Sequence, residues 1–295
     1  MVLLPTVMMS KQYNNPKILH IEPTTACNAA CPGCGREDSR FYNDKENSTS
    51  LTMDDVKSLD VDLIKNLDKM FMCGVFGDPA ASSICHDIFK YFKDINPTIE
   101  LGMNTNGGLR STTWWQELAP LVDYVVFSID GLEDTNHLYR KNVKWSKVIE
   151  NTEAFISAGG SAHWDMLIFD HNKHQTAECE QLARDMKFKW FRTKVSKRLD
   201  EYPIHWQGQL PDIKCHALKE QSLYLAATGE LLPCCFFGTL LFTEDPVRDN
   251  LLQGDVFTNL QTNWSSDPHP VCNTNCGASN IHNNFEDQWR SEIEL

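Results

Sequence analysis

No run of this 295-residue chain approaches the about 18 consecutive apolar residues that a membrane-spanning helix needs. The opening MVLLPTVMM lacks both the charged start and the apolar length of a secretory leader. Basic charge is scarce as well, with 27 Lys and Arg against 40 Asp and Glu and a net charge of −13. Nucleic-acid affinity rests on clustered Lys and Arg, so an RNA or DNA partner ranks low, and basic stretches such as Lys187 to Arg198 are short. Low-complexity linkers are missing. The eleven cysteines are odd in number, which excludes a fully paired disulfide framework within one monomer. The expectation is a soluble cytoplasmic chain with no membrane partner, in which clustered cysteines mark metal binding or catalysis. Its length and 41% hydrophobic content suffice for a barrel-sized domain plus a smaller one.

Apolar runs of strand character recur over residues 17–22, 69–76, 98–104, 123–129, 162–169 and 188–195, with helical patterns between them. Thr52 with Asp55 offers a cap to a helix over MDDVKSLDVDLIKNL. In QTAECEQLARDMK, residues Ala177, Leu182, Ala183 and Met186 share a stripe. Six strands alternating with helices predict an α/β fold with a parallel sheet, right-handed crossovers and functional loops at the carboxyl ends of the strands. The pattern changes after about residue 205. SLYLAATGELLPCCFFG reads as a hairpin turning at Thr228-Gly229, and irregular polar sequence follows it. Two domains are expected, 17–205 and 206–295.

Directly after the first strand, Cys27, Cys31 and Cys34 stand at C-x3-C-x2-C spacing. Cysteine thiolates hold iron–sulfur clusters, and three ligands for four irons leave one iron open to a small molecule. That is the logic of an open catalytic metal position as against a closed structural one. A zinc site is the competing reading, and it requires a fourth ligand for which His20 and Glu37 are the near candidates.

The loop resembles that of the radical S-adenosylmethionine (SAM) superfamily, whose members carry it after the first strand of a partial (β/α)6 TIM-like barrel. The resemblance implies a [4Fe–4S] cluster on the three cysteines, with SAM chelating the open iron through its amino and carboxylate groups. Reductive cleavage then yields a 5′-deoxyadenosyl radical. Gly33 departs from the aromatic residue that many members place before the third cysteine.

Further strand ends match the same family. Gly77, Asp78 and Pro79 stand where relatives carry Gly-Gly-Glu-Pro, which implies that Asp78 engages the SAM ammonium through a charge-assisted hydrogen bond. Asn106, in NTNGG, matches a Thr-Asn-Gly turn and is a candidate pocket residue, although Asn-Gly is also an ordinary turn. SIDGLEDTNHLYR resembles a Ser-x-Asp-Gly and Arg pattern, which implies Ser128 at the ribose or carboxylate of SAM, Asp130 shaping the loop, and Arg140 on the carboxylate. His171 and His174 read as parts of a polar loop capping a helix more readily than as metal ligands.

Cys215, thirteen residues, Gly229, four residues and Cys234 resemble the C-x(9–15)-G-x4-C signature of the auxiliary-cluster extensions called SPASM and twitch. Cys272 and Cys276 complete four ligands for one auxiliary [4Fe–4S] cluster of the shorter, twitch type, or for a zinc knuckle. Cys235 competes with Cys234 as a ligand. Cys73, Cys85 and Cys179 read as small buried hydrophobes. The resemblance implies a hydrogen-abstracting enzyme served by an electron donor such as a flavodoxin or ferredoxin. A peptide or protein is the favoured substrate, ahead of a sugar-like small molecule oxidised by a twitch-type dehydrogenase. A non-catalytic zinc or iron–sulfur protein is the reading from a different class.

Overall fold

The computed structural model describes residues 15–37, 48–196, 213, 215–242, 264–276 and 291–295. The expected domain boundary at 205/206 lies outside them, as does most of the polar sequence after the hairpin.

Six strands follow one another in parallel: β1 (Ile18–Ile21), β2 (Lys69–Met72), β3 (Glu100–Thr105), β4 (Tyr124–Ser128), β5 (Ala162–Ile168) and β6 (Trp190–Val195). Each falls within or beside an expected run, and the open sheet is that of a partial (β/α)6 barrel. Parallel order needs crossovers long enough for a helix, and α3 (Cys85–Ile95), α4 (Thr112–Leu118), α6 (Trp145–Ser157) and α7 (Thr176–Asp185) supply them. One face of the sheet carries Leu19, Met70, Leu101, Val125, Trp164 and Phe191, all buried in a single apolar core against those helices. The other face, in register, carries His20, Phe71 and Tyr124, then His163, Asp165 and Arg192.

Two local expectations are corrected. The helix expected after Thr52 is two helices, α1 (Met53–Lys57) and α2 (Val61–Asn66), because Asp60 Oδ1 accepts the Asp62 N–H at 2.8 Å and starts a new N-terminus. Thr52 and Asp55 do form a capping box on the first. On α7, Ala177 is exposed, and Cys179 takes its place beside Ala183 in the core. Cys85 is buried too, whereas Cys73 is only half-buried.

The later hairpin is β7 (Ser222–Leu225) and β8 (Leu231–Leu232), closing at Gly229, whose N–H donates to the Ala226 carbonyl at 2.9 Å. It is not set apart from the barrel, because β7 pairs parallel with β1, Ile18 opposite Ser222 and His20 opposite Tyr224. A second, smaller core gathers there around Tyr224, Leu232, Phe237, Leu241 and Cys272. At the far edge β9 (Ser291–Glu294), outside every expected element, pairs antiparallel with β6. Among the described residues no helix is long and apolar enough to cross a membrane.

Candidate active site

The cysteine loop leaves β1 and is pinned at three points by its neighbours. The Thr25 N–H donates to the Thr49 carbonyl at 2.8 Å, the Asp78 N–H to the Ala26 carbonyl at 2.8 Å, and the Ala30 N–H to the Lys141 carbonyl at 3.1 Å. The third and second cysteines are joined by a tight turn in which the Cys34 N–H reaches the Cys31 carbonyl at 3.1 Å. Gly33 sits in that turn at φ +71°, a left-handed conformation that strains a residue with a Cβ. The turn therefore accounts for glycine where the resemblance leads one to look for an aromatic ring.

Cys31 is buried and Cys27 and Cys34 are half-buried. Burial, with the charges of Asp78, Cys31 and Cys34 added, pushes the Cys27 thiol up to about 12. Burial also raises Cys31, against the pull of the Arg140 guanidinium. Three thiols crowded this way favour ionisation only with a positive centre among them.

N–H donors already face the sulfurs. Cys27 Sγ accepts from the Ala29 N–H at 3.4 Å and from Asn106 Nδ2 at 3.7 Å. Cys31 Sγ accepts from Arg140 Nη1 at 3.9 Å. Donors at two of the three thiols suit a cluster whose sulfur ligands carry negative charge, so the donor set fits an iron–sulfur group. Among the described residues, no group of three or more His, Cys, Asp and Glu side chains closes around a single metal ion.

The other sequence-predicted residues meet around this loop, several of them through buried carboxylates. Gly77 lies so close to the cysteine loop that a Cβ there would stand 1.8 Å from the Thr24 carbonyl oxygen, so only glycine fits. Asp78 is 4% exposed, and its carboxylate accepts from the Ala80 N–H at 3.0 Å, Thr105 Oγ1 at 2.9 Å and the Asn106 N–H at 2.7 Å. Burial raises its pKa and those donors oppose the rise. Pro79 opens a short 3₁₀ turn, Pro79–Ala81, that Asp78 caps. Asn106, so held, passes Nδ2 to Asn28 Oδ1 at 2.9 Å as well as to Cys27.

Asp130 is fully buried and accepts from Arg140 Nε and from the Leu167 N–H, both at 2.6 Å. Arg140, at the end of the short helix α5 (Asn136–Tyr139), is thereby aimed at Cys31. Ser128 ends β4, half-buried, in register with Asp165. His171 stacks on Phe169 with centroids 5.1 Å apart, and His174 is exposed.

A second constellation forms where the small core lies. Cys215, Cys234, Cys272 and Cys276 line one pocket, walled by Ile213, Pro233, Phe236, Phe237 and Val271. The helix α10 (Pro270–Cys276) places Cys272 and Cys276 one turn apart on one face, which turns the C-x3-C spacing into a pair. Burial pushes Cys272 up to about 12 and Cys276 to about 11, with Cys215 adding its charge to both. Cys235, the first residue of α9 (Cys235–Gly238), does not line the pocket; its electrostatic neighbours include Cys73 and Glu22.

Sequence reasoning missed Glu22, Thr105, Asp165 and Arg192. Glu22 follows β1 in KILHIEP, where a lone acid closing an apolar strand was the available signal. Arg192 and Asp165 form a two-pronged pair at 2.8 and 2.7 Å that only the β5–β6 register brings together.

Residues 21–184 match the family model described as Radical SAM superfamily. Among solved structures, the fold is similar to Streptococcus suis SuiB bound to precursor peptide SuiA, with a TM-score of 0.58 and 15% identity, covering 89% of this chain and 77% of that one. It is likewise similar to native anSMEcpe with bound AdoMet and Cp18Cys peptide, with a TM-score of 0.59 and 14% identity, covering 93% of this chain and 92% of that one. SuiB bound to S-adenosylmethionine gives a TM-score of 0.57 and 15% identity, covering 87% of this chain and 77% of that one. At these identities the likeness is one of fold. No curated protein matches the chain in sequence.

Proposed function

Because the chain belongs to the radical SAM superfamily, we propose that it is an enzyme that cleaves SAM reductively and takes a hydrogen atom from a peptide or protein substrate. The observation that carries this reading is the loop of Cys27, Cys31 and Cys34 at the end of β1, with N–H donors aimed at the sulfurs of Cys27 and Cys31. In this reading the three thiols hold a [4Fe–4S] cluster, and Gly77, Asp78, Pro79, Asn106, Ser128, Asp130 and Arg140 shape the SAM pocket. When bound, cluster and SAM together supply the electron transfer and the hydrogen-abstracting chemistry.

The chain's own residues position and tune. Asp78 fixes the loop that brings Asn106 to Cys27, and Asp130 fixes Arg140 beside Cys31, which places one positive charge and two donors around the thiolates. In this assignment residues 17–205 carry the barrel and 206–295 the auxiliary site, with β7 and β9 of the second segment joined to the barrel's sheet. There Cys215, Cys234, Cys272 and Cys276 hold one twitch-type auxiliary [4Fe–4S] cluster, with Cys234 rather than Cys235 as ligand because only Cys234 lines the pocket. A flavodoxin- or ferredoxin-like protein serves as electron donor.

Two fold relatives, SuiB and anSMEcpe, were solved with peptides, and that supports the peptide class. The four-cysteine pocket supports a second reading, oxidation of a sugar-like small molecule by a twitch-type dehydrogenase. Anaerobic reconstitution tests the assignment: about eight irons per chain and 5′-deoxyadenosine from SAM plus reductant are expected. Stoichiometric zinc with no 5′-deoxyadenosine would replace it with the non-catalytic reading. Supplying candidate peptides and polyols to the reconstituted protein then separates the two substrate classes.

A further inference from the structure

One buried carboxylate joins elements of both cysteine sites and belongs to neither ligand set. Glu22 is 1% exposed. Its Oε1 accepts the N–H groups of Phe76, at 2.7 Å, and Gly77, at 3.0 Å, and its Oε2 accepts the Tyr224 hydroxyl. Phe76 and Gly77 immediately precede Asp78, in the loop assigned above to SAM. Tyr224 lies on β7, opposite Leu232 of β8, and β8 runs straight into Cys234.

The Tyr224 ring is held from two further sides. A Cβ added to Gly238 of α9 would stand 2.8 Å from it, and His20 meets it edge-on with centroids 5.3 Å apart. A buried carboxylate must have its lone pairs filled, and this one accepts from a loop and a strand that are both distant from it in sequence.

We infer that Glu22 is the positioning residue of the SAM loop, and that through Tyr224 it ties the order of that loop to the hairpin carrying Cys234. The inference rests on the assignment of Gly77, Asp78 and Pro79 to SAM. Loss of the Tyr224 hydroxyl leaves a buried carboxylate oxygen unsatisfied, and the 75–77 backbone then relaxes towards other partners.

The test uses the full chain carrying Tyr224→Phe and, separately, Glu22→Gln. Amide hydrogen exchange over residues 74–78 is expected to quicken by about tenfold in both variants, the scale of one hydrogen bond to a charged acceptor, while exchange at 124–128 is unchanged. In reconstituted protein of unchanged iron content, SAM affinity is expected to fall by about tenfold, with the spectrum of the auxiliary cluster unaltered. Exchange that does not change, or a loosened loop that binds SAM as before, overturns the inference. If neither variant yields folded protein by circular dichroism, Glu22 is a folding strut and the inference is wrong. Should the unaltered protein itself fail to bind SAM, the functional assignment falls instead, because the exchange experiment needs no cofactor.

Discussion

Cys27, Cys31 and Cys34 lie on a loop held by polar struts, whereas Cys215, Cys234, Cys272 and Cys276 line a pocket walled by Phe236, Phe237 and Val271. The first set has three thiols, with a guanidinium facing Cys31 and an amide side chain and one backbone N–H facing Cys27. The second has four thiols between apolar walls, with backbone N–H groups of Ala217, Leu218, Phe236 and Phe237 at Cys215 and Cys234, and no cationic or amide side chain among the described residues lining the pocket. A site that is to accept a polar ligand at an open position needs donors and charge in place beforehand, since these cost no reorganisation when the ligand arrives. A site with every ligand supplied by the protein keeps no position open for a polar ligand, and burial protects it from solvent. On the proposed assignment the contrast is that of a working position against a closed one.

The largest way to break the contrast is to remove a ligand from each side. Cys27→Ala is expected to reduce 5′-deoxyadenosine formation to background and to lower iron from about eight to about four per chain, read by product chromatography and iron assay. Cys234→Ser is expected to lose the other four or so irons while SAM cleavage without substrate continues. Cys235→Ser is expected to keep both sets. A Cys235→Ser protein that loses auxiliary iron would exchange the roles of the two neighbours.

The struts come next. Asp130→Asn leaves Arg140 without its buried partner, and removal of one member of a buried pair costs about 3 kcal/mol, measured by urea unfolding of the metal-free chain. Cys272→Ala removes a buried sulfur from the smaller core without stranding a charge, so it should cost less, on the order of 1 kcal/mol.

A last effect is one of pH. Burial first, and then the charges of Arg192, Lys189 and Lys69, lower His163 from 6.5 to about 4. Between those values the unfolded chain binds a proton that the folded chain refuses, so this contribution is full above about 6.5 and is lost as pH falls towards about 4. The melting temperature of the metal-free chain should fall over that window, and less steeply in His163→Phe.

The six strands, the hairpin and the seven candidate ligands could be read in the sequence because each rests on local spacing: alternation for strands, Thr-Gly for the turn, short intervals between thiols. Three features could not. The division of α1 from α2 depends on Asp60 capping a helix in the middle of an apolar pattern, a local competition that periodicity does not register. The pairing of β7 with β1 joins residues about two hundred positions apart, and nothing in either segment names its partner. Asp78 and Arg140 looked free to meet a ligand in sequence; in the fold Asp78 spends its carboxylate on Ala80, Thr105 and Asn106, and Arg140 commits Nε to Asp130. Glu22 escaped notice for the same reason, since its partners lie at positions 76, 77 and 224.

The most direct measurement is electron paramagnetic resonance of the anaerobically reconstituted, dithionite-reduced protein, recorded with and without SAM. The account predicts two [4Fe–4S] signals, of which one changes on adding SAM and is missing from Cys27→Ala, while the other is indifferent to SAM and missing from Cys234→Ser. A spectrum that SAM leaves untouched, in protein carrying iron on Cys27, Cys31 and Cys34, would contradict it.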